Sequence, residues 1–583
     1  MERALGWLVE HAVGSGDIVA VALSDRAGLG LAIEVGANQG RSAGFPLTDP
    51  IGACAEIERE LGPRWAWWDR TVPDQLAERG VEVARCWDVL TVHRLLHGGW
   101  RTSVPYVWAW LHELPTDSLP TMGQLDLLAA PTEEGDPEEP VRPDGHLRPE
   151  WVTGGWATAP ERLARWALLT RRAVTLQQDR IDAGTDPRRV RSTAHSESVA
   201  ELLCAELSVQ GLPIDIDEAE RIIHAAVGPR PRDGTQTLAR QAERDARVLR
   251  HLGPGTSVDL RNPAEVKAML RRVAVDVPDT RAWRLEQHRG AHPVVDALLQ
   301  WRKAERIATT YGYRWLDEHV HDGRLRGEWS SSDGAAGRMT ASAGLHNLPA
   351  EMRPAVAAEP GHLFIRADLG QIEPRVLAAV SGDRSLTAAT VADDMYAPVA
   401  ERLGVTRDVA KVAVLGAMYG STTGESAHAL RGLEREYPVA MEYLAEAATA
   451  GQRGDDVFTI GGRRVRMWVD ETVDEAGAGD LDRARRVAAA RGRFARNAVI
   501  QGAAAEFFKV WAIIVRAHGA AIGARVVLCL HDELLIHVEA DRATEAAALV
   551  DDALAEAAYR WSPVPEVRFV ADLSVIRRWS DAK

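Results

Sequence analysis

The sequence predicts a multidomain α/β protein, and three observations carry that prediction. At 583 residues the chain is too long for one hydrophobic core, and about 150 residues per domain implies three or four folding units. Its first part alternates short apolar runs, Ile18 to Leu23 and Leu29 to Val35, with polar turns and helical stretches. Its last part holds two aspartates, each at the end of an apolar strand, separated by a helix with basic residues at helical spacing.

From the N-terminus to about residue 128 the pattern is that of a mixed α/β domain. Trp65, Trp67, Trp68, Trp108 and Trp110 read there as packing residues rather than as a stacking surface for single strands. Pro131 to Pro149 is rich in Pro, Glu, Asp and Gly, buries nothing and reads as a solvated loop or linker. Helical periodicity resumes from Pro160 to Asp182, and a polar connector, Asp186 to Ser198, leads to a second helical region. Net charge is -15, so a nucleic-acid partner would need local positive charge, and Arg and Lys cluster between Arg453 and Arg496. Cys54, Cys86, Cys204 and Cys529 form no C-x-x-C pair, which argues against a zinc ribbon and a disulfide framework and fits a reducing compartment. The N-terminus has no uncharged apolar run of signal-peptide or membrane-span length, and a soluble intracellular protein is expected.

The carboxylates come next. His362 to Ala367 reads as a strand, Asp368 follows it, and Gln371 to Val380 reads as a helix that tolerates Pro374 in its first turn. Val526 to Leu530 and Leu534 to Val538 read as two strands around a tight His531-Asp532-Glu533 turn. Two aspartates held on strands suit phosphoryl transfer with two Mg²⁺ ions, which prefer a few carboxylate oxygens plus substrate phosphates. Between them, Arg407, Lys411, Leu415 and Tyr419 recur every four residues and form one helical stripe, while Val409, Val412, Val414 and Met418 predict a packed face. Cations near the helix N-terminus can hold a triphosphate, Leu415 and Tyr419 offer a platform for a base, and Gly420 provides a helix stop.

The segments FIRADLGQIEPR (364 to 375), RDVAKVAVLGAMYG (407 to 420) and LCLHDELLI (528 to 536), in this order and spacing, resemble motifs A, B and C of the family A DNA polymerases. The resemblance runs from roughly Ser196 to the C-terminus. It implies a right-hand polymerase behind an RNase H-like, exonuclease-type N-terminal domain. The implied domains are 1–195 (degenerate exonuclease-like), 196–329 (a short thumb, hence modest processivity), 330–400 (palm with motif A), 401–490 (fingers with motif B) and 491–583 (palm with motif C). Asp368, Asp532 and the Leu369 carbonyl match its metal ligands, with Glu533 in support. Arg407 and Lys411 match the phosphate-binding and general-acid positions, Glu373 the steric gate against ribose, and Tyr419 the tyrosine beside the templating base. Gln371 and Tyr396 join the nucleotide-binding set, Tyr396 standing where the family generally has histidine. Arg338, Asn347, Arg493, Asn497, Gln501 and His531 match positions that contact primer-template. Leu369, Gly370, Pro374 and Leu415 depart from the usual residues.

The implied activity is template-directed DNA synthesis in repair or gap filling by a monomeric enzyme working with two Mg²⁺, or Mn²⁺ in substitution, on primer-template DNA and dNTPs in the cytoplasm at the nucleoid, with no membrane partner. Proofreading is expected to be absent, since no Asp-x-Glu occurs between Met1 and Trp100 and Arg171 stands where the third exonuclease motif needs an aspartate. A single-subunit RNA polymerase and a non-catalytic DNA-binding scaffold are the alternatives. Glu373 argues against the first, and retention of both aspartates and both cations against the second; a metal-dependent nuclease would not require the Arg407 to Tyr419 stripe.

Overall fold

The computed structural model describes residues 2–36, 39–121, 136–253, 255–420, 426–468 and 480–582. The fold is mixed α/β, and the chain forms two compact units: one of residues 1–210, 328–340 and 363–575, the other of 211–327, 341–362 and 576–583.

In the first unit, strands β1 (Ile18–Ser24), β2 (Gly28–Glu34), β3 (Gly40–Phe45), β4 (Arg64–Trp67) and β5 (Cys86–Asp88) make a sheet of order β3-β2-β1-β4-β5. β1 pairs antiparallel with β2 and parallel with β4. Both faces are covered, which is why β1 and β2 read as unbroken apolar runs. Ala20, Ala22 and Ala32 pack with Leu163, Trp166 and Val174 of helix α1 (Pro160–Asp182), while Val19, Val21 and Leu31 pack with Ile51, Ile57 and Leu76 on the other side. Trp65, Trp67, Trp68 and Trp108 are buried in these cores, and Trp110 lies under the Arg180 guanidinium, 4.1 Å from its ring centroid.

Two polar segments behave differently from their sequence expectation. The connector Asp186 to Ser198 is helical, part of α2 (Pro187–Gln210). Asp186 accepts from the Arg189 N–H at 3.1 Å, and the buried Glu197 is matched by Lys509 Nζ at 2.7 Å and by Arg463. The polar residues hide the helix because their partners come from elsewhere in the chain. Arg463 is thereby buried, and it leaves the basic cluster expected between Arg453 and Arg496. The described part of the expected linker, 136–149, is docked rather than solvated: Leu147 and His146 are buried, and the Trp108 and Trp151 indoles donate to the carbonyls of Gly145 and Pro137, both at 3.0 Å. Residues 131–135 lie outside the described residues.

The same unit holds a second sheet, built from β6 (His362–Leu369), β7 (Arg525–Leu530), β8 (Glu533–Glu539) and β9 (Ala571–Ile576) in the order β7-β8-β6-β9. Around it lie α3 (Ile372–Ser381), α4 (Arg407–Tyr419), the long α5 (Asp480–Gly519) and α6 (Ala543–Trp561). By length and composition α5 could cross a membrane, but its most apolar window is 83% buried within the protein, as a core helix is.

The second unit is helical, with Val248, Leu270, Leu285, Val294 and Leu298 in its core and the Arg244–Glu305 ion pair at 3.0 Å beside it. Helices α2 and α5 run straight across the expected boundaries at 195/196 and 490/491, and residues 341–362, expected in the palm, pack in the second unit. Sequence motifs mark function rather than the places where contacts thin out.

Candidate active site

β6 carries Asp368 as its penultimate residue, and the β7–β8 hairpin carries Asp532. The hairpin turn is two residues long, His531 and Asp532, because Leu530 pairs directly with Glu533. Glu533 is therefore the first residue of β8 rather than a turn residue. The turn requires a left-handed residue, and His531 supplies it at φ 53° despite its side chain. The Leu369 N–H donates to the Asp532 carbonyl at 2.8 Å, which ties the two aspartate-bearing segments together.

Burial, then repulsion from Asp532 and Glu533, pushes the Asp368 carboxyl up to about 6, with Arg366 pulling the other way. Asp532 is likewise raised, by burial first and Glu533 next. Arg366, two residues before Asp368 on the same face of β6, lies among these acids. It pairs with Asp368, with Glu533 at 3.0 Å and with Asp572 at 3.2 Å.

After β6 the chain reverses at Gln371, again a non-glycine residue in the left-handed region at φ 56°. Its amide donates to Asp394 at 2.8 Å and accepts from the Met395 N–H at 2.8 Å. Asp394 also takes Arg407 Nε at 2.6 Å, and although burial works against it, Arg407 holds the Asp394 carboxyl below its ordinary range. Tyr396 lies 5.7 Å from the Arg407 guanidinium, ring centroid to carbon, and burial pushes its phenol up to about 12.

α4 starts at Arg407 because Thr406 caps it, and it ends at Gly420, left-handed at φ 70°. A Cβ at Gly420 would stand 2.8 Å from Arg493 Cγ, so glycine also allows this close approach of α5. Ala410, Ala413, Val414, Ala417 and Met418 form the buried face. Val412, expected in that face, is 56% exposed, since at 100° per residue it falls beside Lys411. Lys411 is exposed and has no carboxylate partner among the described residues.

Arg338, Gln371, Glu373, Tyr396, Arg407, Lys411, Leu415, Tyr419, His531 and Asp532, all anticipated from the sequence, line one cavity of about 380 Å³ together with Ala504 and Ala505 of α5. Within it Glu373 accepts from Arg338 at 2.9 Å and from the Tyr419 hydroxyl at 2.7 Å, and Gln501 hydrogen-bonds Tyr419. Burial, then Arg338, holds the His531 imidazole below its ordinary range. Arg493 is exposed, and Asn497 keeps a buried Oδ1 with no partner among the described residues. Asn347 sits in the second unit, where its carbonyl accepts from Tyr311 at 2.6 Å and from Arg306. Sequence reasoning missed Arg366, Asp394 and Asp572. Arg366 alone left a signal: a basic residue set between apolar Ile365 and Ala367, two positions before Asp368.

The chain is similar to known proteins over much of its length. The family model for DNA polymerase family A matches residues 260–581. The thermostable DNA polymerase I of Thermus filiformis is 32% identical over 339 residues, which cover 51% of this chain and 38% of that protein. DNA polymerase I of Deinococcus radiodurans is 26% identical over 453 residues, covering 70% of this chain and 43% of that protein. The matched segments thus span well under two thirds of these relatives. Among solved structures, the POL domain of Pol1 from M. smegmatis in complex with DNA primer-template and dNTP aligns at a TM-score of 0.67 and 21% identity, covering 99% of this chain and 98% of that one; the likeness is one of fold.

Proposed function

This chain belongs to DNA polymerase family A, and on that premise we propose that it is a template-directed DNA polymerase that extends a primer 3′ end with dNTPs in repair or gap filling, without proofreading. The observation that carries the proposal is the single cavity that joins Asp532 to two phosphate-type cations, a gate glutamate and a base platform. Arg407 and Lys411 bind the triphosphate at the N-terminal half of α4, where the helix dipole adds to their pull. Asp394 and Tyr396 orient Arg407, and Gln371 holds Asp394 in place. Leu415 and Tyr419 face the base, and Glu373, fixed from both sides by Arg338 and Tyr419, fills the space that a ribose 2′-hydroxyl would take.

The donor set suits hard divalent cations. Asp532 and Glu533 stand close enough to raise Asp368, and a guanidinium pairs with Asp368 and Glu533. Asp368, Asp532 and the Leu369 carbonyl would hold two Mg²⁺, or Mn²⁺, which would lower the pKa of the attacking hydroxyl and offset charge on the phosphates. The primer 3′-hydroxyl loses its proton to water as its oxygen forms the new bond to the α-phosphorus, the bond to pyrophosphate breaks, and Lys411 donates a proton to the departing pyrophosphate. His531 lies at the primer end, and Arg493, Asn497 and Gln501, at i, i+4 and i+8 on α5, follow the primer-template backbone.

The strand order β3-β2-β1-β4-β5 supports an RNase H-like N-terminal domain, and the Arg171–Glu34 ion pair in place of a carboxylate cluster supports its loss of nuclease chemistry. The proposal extends to a cytoplasmic monomer acting at the nucleoid. Primer extension with dNTPs and with rNTPs on a gapped template tests the reading: dNTP-selective, template-directed extension is expected, and no extension, or preference for rNTPs, overturns it.

A further inference from the structure

A second cavity, of about 560 Å³, opens among the start of β4, the first turns of α2 and the facing parts of α5 and α6. It shares no lining residue with the cavity at Asp532. Five arginines line it: Arg64, Arg85, Arg188, Arg189 and Arg560. On a chain of net charge -15 this runs against the overall balance. Arg189 and Arg560 are paired, with Asp186 at 3.4 Å and Glu556 at 2.6 Å. Arg64, Arg85 and Arg188 have no carboxylate partner among the described residues. Arg64 donates only to the Cys86 carbonyl at 3.3 Å, and Arg85 to Ser15 Oγ at 2.9 Å and the Gly62 carbonyl at 3.2 Å.

The two lining acids do not neutralise these three cations. Asp186 is taken up by Arg189 and by the N-terminus of α2. Glu506 is buried, accepts from Thr459 and from the Gly461 N–H, and is pushed up to about 7 by burial. Arg64 is held below its ordinary range by burial and by the neighbouring Arg85. Like charges kept together in a half-buried site without a counter-ion are unfavourable, and an anion entering between them offsets that cost. The cavity also has an apolar wall of Val199, Val510, Ile513 and Ile514. Its volume falls in the range of about 300–1,000 Å³ usual for small-molecule sites, far more than a lone phosphate needs.

We propose that this cavity binds a nucleoside polyphosphate, with its phosphates on Arg64, Arg85 and Arg188 and its base against the apolar wall of Val510, Ile513 and Ile514. Guanidinium groups match phosphate oxygens in geometry as well as charge, and three of them here are uncommitted to carboxylates.

Equilibrium dialysis of the full chain against radiolabelled ATP in EDTA tests this, with tripolyphosphate as competitor. It reads binding and not extension, so its failure is separate from any failure of the polymerase reading. The expected result is saturable ATP binding that persists in Lys411→Ala and weakens by about tenfold or more in Arg64→Ala/Arg85→Ala. Arg188→Glu, a change at an exposed position, weakens it similarly at unchanged Tm. Tripolyphosphate, lacking a base, competes about tenfold less well than unlabelled ATP. Absence of binding, binding abolished by Lys411→Ala, or binding undiminished in both arginine variants overturns the site. Equal competition by tripolyphosphate overturns its assignment to a nucleoside.

Discussion

The two sheets of the first unit hold their acids in different surroundings. On the second sheet Asp368, Asp532 and Glu533 lie close enough that burial and mutual repulsion raise both aspartates, and Arg366 offsets only part of that strain. On the first sheet each acid is enclosed by local donors, although burial and then Glu201 still push the Asp88 carboxyl up to about 7. Glu34, at the end of β2, pairs with Arg171 and accepts from Thr175 at 3.2 Å. Asp88, at the end of β5, caps the next helix through the Thr91 N–H at 2.8 Å and accepts from the Trp67 indole at 3.0 Å. Raised carboxylates clustered where solvent reaches them, as at the half-buried Asp368, mark a site built for a cation; a raised carboxylate sealed in by donors, as at the buried Asp88, marks structure.

The sharpest way to break that comparison is to remove an acid from the strained set. Asp368→Ala or Asp532→Ala is expected to lower primer extension by about a thousandfold or more, the scale of several kcal/mol of charge stabilisation, while primer-template binding in a gel-shift assay is retained. Extension near the wild-type rate in either variant would withdraw the site assignment. Next in size is Glu373→Ala, which removes the proposed gate and also frees Arg338 and Tyr419 from it. Discrimination against rNTPs should fall roughly ten- to a hundredfold, with some loss in dNTP turnover, measured as the ratio of single-nucleotide incorporation rates. Full discrimination in that variant places the gate elsewhere.

Leu415 tests the register of α4. It lines the cavity one turn beyond Lys411, where an aromatic residue would stack better by about 0.5–1.5 kcal/mol. Leu415→Phe should therefore tighten dNTP binding a few-fold to about tenfold. Leu415→Tyr should in addition raise dideoxynucleotide incorporation, because its hydroxyl can replace the missing 3′-hydroxyl. Equal dideoxy acceptance by wild type and Leu415→Tyr means that this side chain does not face the sugar.

How far the sequence could be read depended on where each residue's partners lie. α1 and α4 match their expected limits, Pro160 to Asp182 and Arg407 to Tyr419, because their end signals lie in the segments themselves: Pro160 in the first turn of α1, and Thr406 and Gly420 at the two ends of α4. α2 was hidden because Glu197 and Ser198 look like loop residues until Lys509 and the Asp88 N–H are placed beside them. The cavity residues from Gln371 to Tyr419 were legible as spaced motifs, whereas Asp394 and Asp572 were not: each is an ordinary surface-type acid until the fold brings it to Arg407 or Arg366. Domain limits were the least legible, because the long helices α2 and α5 carry no mark of the boundaries they cross.

The smallest expected effect on activity comes from the settled acids of the first sheet. Arg171 is 8% exposed and donates to Glu34 and, at 2.8 Å, to Thr175, so Arg171→Ala leaves the Glu34 carboxylate without its cation. Glu34 keeps partial contact with solvent, which reduces the penalty below that of a fully buried pair, and a loss of about 1–2 kcal/mol in urea unfolding is expected. One exposed carboxylate cannot by itself hold two metal ions, so neither wild type nor Arg171→Ala should shorten a mismatched 3′ end in Mg²⁺ or Mn²⁺. The decisive background is Asp368→Ala, in which the polymerase site cannot remove nucleotides by reversing its own reaction. Mismatch removal that persists there would mean that the first sheet holds metal ions after all, and the contrast between strained and settled acids would fail as a guide to which sheet carries chemistry.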